Sequence, residues 1–147
     1  GQLLRYAVSA PDHDPRDDDM QYLVVDFVDA VRKTFKEKGW LTKTSDVEEG
    51  GDFLLGYKDR LYHVSSDFQV NPNRCGYAAC GCGSSYALGA MHDIRQNGKK
   101  VAPEDAVRRA LEAAAYHSAG VIGPFLIMRL DGTKVERLDG STWTAVT

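Results

Sequence analysis

The clearest hydrophobic pattern in the chain is a helical stripe between Met20 and Phe35. Apolar residues recur there three or four positions apart, at Met20, Leu23, Val24, Phe27, Val28, Val31 and Phe35. This spacing keeps side chains on one face of an α-helix. Acidic residues precede the stripe, basic residues close it, and Gly39 is a suitable stop. The pattern predicts one long amphipathic helix that ends at Gly39.

Two other regions contain short apolar runs separated by turn residues, which predict β-hairpins. The first is Phe53–Val70, with a turn at 58–60, and the second is Phe125–Leu138, followed by a last strand around Trp143. His63 lies between two apolar neighbours in the first hairpin. We expect it to face the opposite side of the strand and to be satisfied by a partner.

A glycine-spaced corner and two helices lie between the hairpins. Residues 77–79 predict a short buried strand, Gly81 and Gly83 a sharp turn, and Ser84 or Ser85 the N-cap of a helix. A second helix opens at Pro103 and carries a stripe of small residues suited to close packing. The polar segments 11–19 and 40–51 are expected to be connections.

The order of these elements predicts an α+β layered fold. A length of 147 residues suits a single domain, 1–147, with one core. The net charge of −3 does not favour nucleic acid, and no apolar run has the length of a membrane span. An odd number of cysteines favours a reducing compartment, so we expect a cytoplasmic protein. We also expect no cofactor.

Three segments, taken in order, resemble segments of proteasome β-type subunits. Gly81–Ala90 is similar to the Gly-Ser-Gly-Ser/Gly-x-Tyr-Ala-x-Gly segment of those subunits. Residues 51–68 resemble their central hairpin, and residues 103–124 resemble the following Ala-rich helix with its Gly-Pro exit. The family belongs to the N-terminal-nucleophile (Ntn) hydrolases, so the resemblance implies a four-layer αββα sandwich.

The resemblance also implies a reaction mechanism, from which this sequence departs. In the family, an N-terminal threonine attacks the peptide bond and its own α-amino group acts as the base. This sequence opens with Gly1, which has no side chain to attack with. We therefore expect the nucleophile strands to be missing from these 147 residues, which would leave the sheet incomplete and the chain inactive as it stands.

Three residues fall at supporting positions of the family motif. Cys82 takes the place of the serine close to the nucleophile's amine, and Ser84 takes the place of the next hydroxyl. His117 falls where the family has an aspartate, and Gly120 falls at a later hydroxyl position. The resemblance thus assigns Cys82, Ser84 and His117 to the surroundings of the active site.

The same residues could serve other chemistry. Cys75, Cys80, Cys82 and His92 are possible soft metal ligands, but they lack the usual zinc spacing, and buried structural cysteines are the expectation. Alternatively, Cys82 could be a nucleophile with His92 or His117 as its base, since a helix start favours the thiolate. His13, in the acidic run, is expected to be a solvated loop residue rather than a metal ligand.

By resemblance, the expected function of the complete protein is a threonine-type peptidase that hydrolyses peptide bonds. Its partners would be a peptide or protein substrate, further copies of itself and an ATP-dependent unfoldase, with neither nucleic acid nor membrane involved. The alternative is a non-catalytic assembly or interaction subunit with the same fold. The peptidase and the non-catalytic subunit differ in whether hydrolysis accompanies assembly.

Overall fold

The computed structural model describes residues 2–44, 47–97, 100–129, 135–139 and 142–146. They form two compact units, Gly1–Gly76 and Tyr77–Thr147. Every strand pair in these described ranges is antiparallel. The predicted α+β class is therefore confirmed, whereas the single domain stays a prediction.

In each unit the helices precede the strands along the chain. The first unit contains α1 (Gln2–Tyr6), α2 (Asp19–Tyr22), a π-helical turn (Leu23–Phe27), α3 (Val28–Glu37), β1 (Thr42–Thr44), β2 (Val47–Glu49), β3 (Phe53–Tyr57), β4 (Arg60–Val64) and β5 (Val70–Pro72). The second contains α4 (Ser84–Gln96), α5 (Pro103–His117), β6 (Phe125–Met128), β7 (Val135–Asp139) and β8 (Thr142–Val146). No helix in the described part of the chain is both long and apolar enough to cross a membrane.

The long predicted helix begins and ends as its sequence indicates. Asp18 is the N-cap, and its carboxylate accepts a hydrogen bond of 3.0 Å from the Gln21 N–H. At the other end, Gly39 adopts a φ of +68°. The Trp40 N–H then donates to the Phe35 carbonyl at 2.8 Å, which completes a Schellman motif. The predicted stop at Gly39 is confirmed.

A π-helical turn changes which residues of this helix are buried. The Val28 N–H donates to the Leu23 carbonyl, five residues back, so one extra residue is fitted into the turn. Tyr22 and Leu23 are buried, while Val24 is 45% exposed. The prediction that Val24 lies on the buried stripe is wrong, because a regular helical period takes no account of the inserted residue.

The first unit contains a sheet of order β3-β4-β5. Residues 58 and 59 connect β3 to β4 with φ values of +44° and +60°, a turn whose twist matches antiparallel strands. The hairpin prediction is confirmed. β5, however, extends through Asn71 and Pro72, beyond the predicted hairpin region that ends at Val70. Proline is tolerated there because β5 is an edge strand.

A second hairpin, β1–β2, lies in the segment predicted to be a polar connection. Thr42 pairs with Glu49 and Lys43 with Glu48. The prediction of a connection is wrong because these strands are polar and show no apolar alternation to reveal them. Part of their support is electrostatic: Arg32 Nη2 on α3 lies 2.9 Å from Glu48 Oε2.

The core of the first unit lies between the helix and the three-stranded sheet. Its buried residues come from α2, the π-helical turn, α3, β4, β5 and the loop before β5: Tyr22, Leu23, Val28, Val31, Phe35, Tyr62, Val64, Phe68 and Val70. Apolar residues of β3 cover the same core from the neighbouring strand. Helix and sheet are therefore joined by apolar burial, the main driving force of folding.

The second unit pairs two helices and a meander of three strands. Ala110 and Ala114 of α5 are buried, so the predicted small-residue face packs as expected. The sheet has the order β6-β7-β8, and Phe125 pairs with Leu138, which confirms the second hairpin. The turn expected between the first two strands of this sheet lies outside the described residues.

Candidate functional site

The corner before α4 is a turn rather than the end of a strand. Residues 77–80 have no regular secondary structure, so the predicted buried strand is wrong. Gly81 has a φ of +96°, which favours glycine, and its carbonyl accepts a 3.1 Å hydrogen bond from the Ser84 N–H. This tight turn places Cys82 two residues before Ser84, the first residue of α4.

Gly83, not a serine, occupies the N-cap of α4. No side chain caps the helix, so the predicted hydroxyl cap at Ser84 or Ser85 is wrong. Packing explains the glycine: a Cβ at this position would lie 2.5 Å from Val121 Cγ2 and 2.9 Å from Ala114 Cβ. The start of α4 therefore presses directly against α5 and the segment that follows it.

The Cys82 thiol lies against Gly120, just beyond the end of α5. A Cβ at Gly120 would be 2.8 Å from Cys82 Sγ. Cys75, Cys80 and Cys82 are all exposed residues outside any disulfide, so the expectation of buried cysteines is wrong. The reason is local: without a strand at 77–80, these residues have no sheet to be buried in.

His117 is the last residue of α5, and its ring belongs to an aromatic group. It stacks on Tyr86 with ring centroids 5.2 Å apart, and Tyr116 meets it edge-on at 4.9 Å. Because Tyr86 is in the first turn of α4, the structure brings Cys82, Ser84 and His117 to the same end of the helix pair. Sequence reasoning missed Tyr86 and Tyr116, which only this packing reveals.

The described contacts do not join these residues into a nucleophile–base pair. No hydrogen bond links the Cys82 thiol to the His117 imidazole within the described ranges, and His92 Nδ1 lies instead 3.3 Å from the Tyr77 hydroxyl. The described residues contain no group of three or more histidine, cysteine or acidic side chains that could hold a metal ion. The corner thus offers separate polar groups around a turn.

A second group of polar residues surrounds His13 in the first unit. The side chain of His13 is only 6% exposed, stacks on Tyr22 at 4.4 Å and hydrogen-bonds through Nδ1 to the Tyr57 hydroxyl. Its Nε2 lies 3.3 Å from the Asp17 carbonyl oxygen. The expectation of a solvated His13 is wrong, because two tyrosines on neighbouring elements cover its ring. No apolar period marks such a contact in the sequence.

Charged residues at the edge of this group are paired. Lys58 Nζ lies 2.6 Å from Asp19 Oδ1, and this hydrogen bond lowers the pKa of Asp19 and raises that of Lys58. Burial raises the pKa of Tyr22, whose hydroxyl donates to the Pro11 carbonyl at 2.7 Å. These contacts hold the acidic loop against the helix and the hairpin, which is a structural role.

His63, predicted to have a partner, lies close to Asp52. Its Nε2 is buried and has no hydrogen-bond partner among the described residues; Asp52 Oδ2 is 3.7 Å away. The expected partner is thus Asp52, which lies at ion-pair distance from His63 without a hydrogen bond. Asp52 also lines an apolar cavity of about 410 Å³, together with Leu3, Leu4, Phe35, Trp40 and Phe53.

Comparison of the chain with family models, with curated proteins and with solved structures gives no match.

Proposed function

We propose that the chain forms part of a proteasome-β-like Ntn hydrolase with the αββα layering of that family, and that the complete protein cleaves peptide bonds. The observation that carries the proposal is the corner at residues 81–84. It opens α4 directly after a glycine turn and packs against the end of α5 through Gly83 and Gly120. This corner opens the segment Gly81–Ala90 that resembles the family in sequence, and that coincidence supports the proposal.

The proposal gives the three corner residues supporting roles. Cys82 and Ser84 stand beside the turn and His117 stands at the end of α5. In an Ntn hydrolase the attacking group is an N-terminal hydroxyl or thiol whose own amine takes the proton. The described contacts form no Cys82–His117 pair, so the proposal follows the resemblance and gives the role of nucleophile to an N-terminal residue rather than to Cys82.

A peptidase assay on the protein isolated from its native source tests this proposal. Intact mass first establishes the N-terminal residue, and a series of fluorogenic peptide amides then reports hydrolysis. Replacement of that N-terminal residue by alanine should abolish activity, whereas Cys82→Ser should retain it. Cys75→Ser is the matched control for thiol removal. Activity that survives the N-terminal change but is lost in Cys82→Ser would overturn the assignment and make Cys82 the nucleophile.

The second candidate is a non-catalytic assembly subunit. A specific observation favours it: α4 has no buried residue among its thirteen, and Tyr116 and Ile122 are 86% and 80% exposed. Exposed apolar surface of this kind is typical of subunit contacts. Light scattering after size exclusion distinguishes the candidates when combined with the assay. Oligomers without any amide hydrolysis, in a protein with an intact N-terminus, support the assembly role.

A further inference from the structure

Two thiols flank the glycine turn in front of α4. Cys80 and Cys82 are both exposed residues outside any disulfide, and only Gly81 separates them. Residues two apart in a chain keep their Cα atoms within the span that a disulfide can bridge. The φ of +96° at Gly81 bends the backbone between them. The turn therefore presents a dithiol to solvent.

We propose that Cys80 and Cys82 form a reversible redox pair that a small-molecule disulfide of the glutathione class oxidises. One protein thiolate attacks a sulfur of the oxidant, forms a mixed disulfide and releases one small thiol. The second protein thiolate then displaces the other half. In total, two protein thiols lose two electrons and two protons, and the oxidant becomes two small thiols.

Its ring size and exposure indicate that a Cys80–Cys82 disulfide would be easily reduced rather than structural. The ring closed by this disulfide contains only three residues, so its loop-closure contribution to stability is small. Exposed or strained disulfides are more oxidising and are the ones that reducing agents open readily. The pair is thus suited to respond to the thiol–disulfide ratio.

Oxidation also acts on the packing of the corner. Cys82 Sγ is the atom that lies against Gly120. A bond to Cys80 restricts the positions that Cys82 Sγ can take. The contact between the turn and the segment after α5 is therefore expected to change on oxidation. The proposal goes beyond the proposed hydrolase and does not depend on it.

Thiol trapping with mass spectrometry tests the pair. The full chain is equilibrated with mixtures of oxidised and reduced glutathione, quenched with acid, alkylated and mapped as peptides. We expect the three thiols open to alkylation to fall to one, with a Cys80–Cys82 link, loss of the mass of two hydrogen atoms and full reversal by dithiothreitol. Hydrogen exchange at residues 118–121 should change on oxidation and recover on reduction.

The variants make each outcome decisive. Cys75→Ser should leave the oxidation unchanged, whereas Cys80→Ser should abolish it without disturbing the Cys82–Gly120 contact. Cys82→Ser should abolish it too. The proposal fails if only mixed disulfides with glutathione accumulate, if the link joins Cys75 to another thiol, or if oxidation leaves exchange at residues 118–121 unchanged.

Discussion

Replacement of Gly83 by alanine would place one methyl group where the structure has no room for it. The new Cβ would lie 2.9 Å from Ala114 Cβ and 2.5 Å from Val121 Cγ2. Val121 can turn its side chain away, but Ala114 Cβ is attached directly to the backbone of α5. Because carbon atoms pack at about 3.5–4.0 Å, the start of α4 and α5 must separate by roughly 0.6–1 Å.

The expected cost combines two opposing effects. Overpacking of a filled interior costs about 1–3 kcal/mol. The backbone itself is not strained, since Gly83 has a φ of −94° that alanine also adopts. Alanine also restricts the unfolded chain, which favours the folded state by about 0.4–1 kcal/mol. The net prediction is a loss of about 1.3 kcal/mol in the free energy of unfolding at the middle of these ranges, and of about 2.6 kcal/mol at most.

Urea unfolding followed by circular dichroism measures this loss, and Gly89→Ala is the matched control. Gly89 lies inside α4, and apart from its chain neighbours and the nearby helix backbone no atom of the described residues lies within 4 Å of the place where the new methyl group would stand. Alanine there should stabilise the helix by about 0.5–1 kcal/mol. The two variants carry the same chemical change at the start and in the middle of one helix. Equal or greater stability of Gly83→Ala than of the wild type would refute the packing at the corner.

Three further predictions concern the first unit. Gly50→Ala should destabilise by about 1–3 kcal/mol in urea unfolding, because its Cβ would lie 2.9 Å from Phe68 Cζ. Leu23→Ala should cost about 2–5 kcal/mol in the same assay, since Leu23 is fully buried. Asp14 should titrate by NMR at about pH 2, because hydrogen bonds from Arg16 lower its pKa. Its depressed folded pKa contributes stability above the ordinary carboxyl pKa, and that contribution is lost as the pH falls toward 2.

Neighbouring residues provide the controls for these predictions. Gly51→Ala, whose new methyl group would have no atom of the described residues within 4 Å apart from its chain neighbours, should change stability by about 0.5 kcal/mol or less. Val24→Ala should also have a small effect, and a loss as large as that of Leu23→Ala would contradict the π-helical turn. For Asp14, the stability difference between the wild type and Asp14→Asn should shrink below about pH 4. A difference independent of pH would contradict the ion pair.

The sequence pattern predicts those elements that are specified by residue types with a strong local preference. The Gly39 stop and both hairpins follow from residue types that each have one strong local preference. The π-helical turn does not, because one inserted residue leaves the composition of the stripe unchanged and moves Val24 outward. The polar hairpin β1–β2 escapes prediction for a related reason: its strands pair through backbone groups that every residue has.

The sequence predicts where the candidate site lies but not how its side chains are arranged. Glycine spacing locates the corner, and Cys82, Ser84 and His117 do lie at one end of the helix pair. Their contacts depend on residues distant in sequence, such as Gly120 against Cys82 Sγ. The burial of His13 by Tyr22 and Tyr57 is likewise a tertiary effect, which a local reading of an acidic run cannot contain.

The strand orders β3-β4-β5 and β6-β7-β8 have a consequence for how the chain folds. Each strand of these two sheets pairs only with the strand before or after it in sequence. Long loops therefore need not close before these sheets form, and the entropy lost on pairing is small at each step. Such local pairing gives a low contact order, the topological property that accompanies fast folding. Each of these meanders is able to assemble from a single continuous stretch of chain.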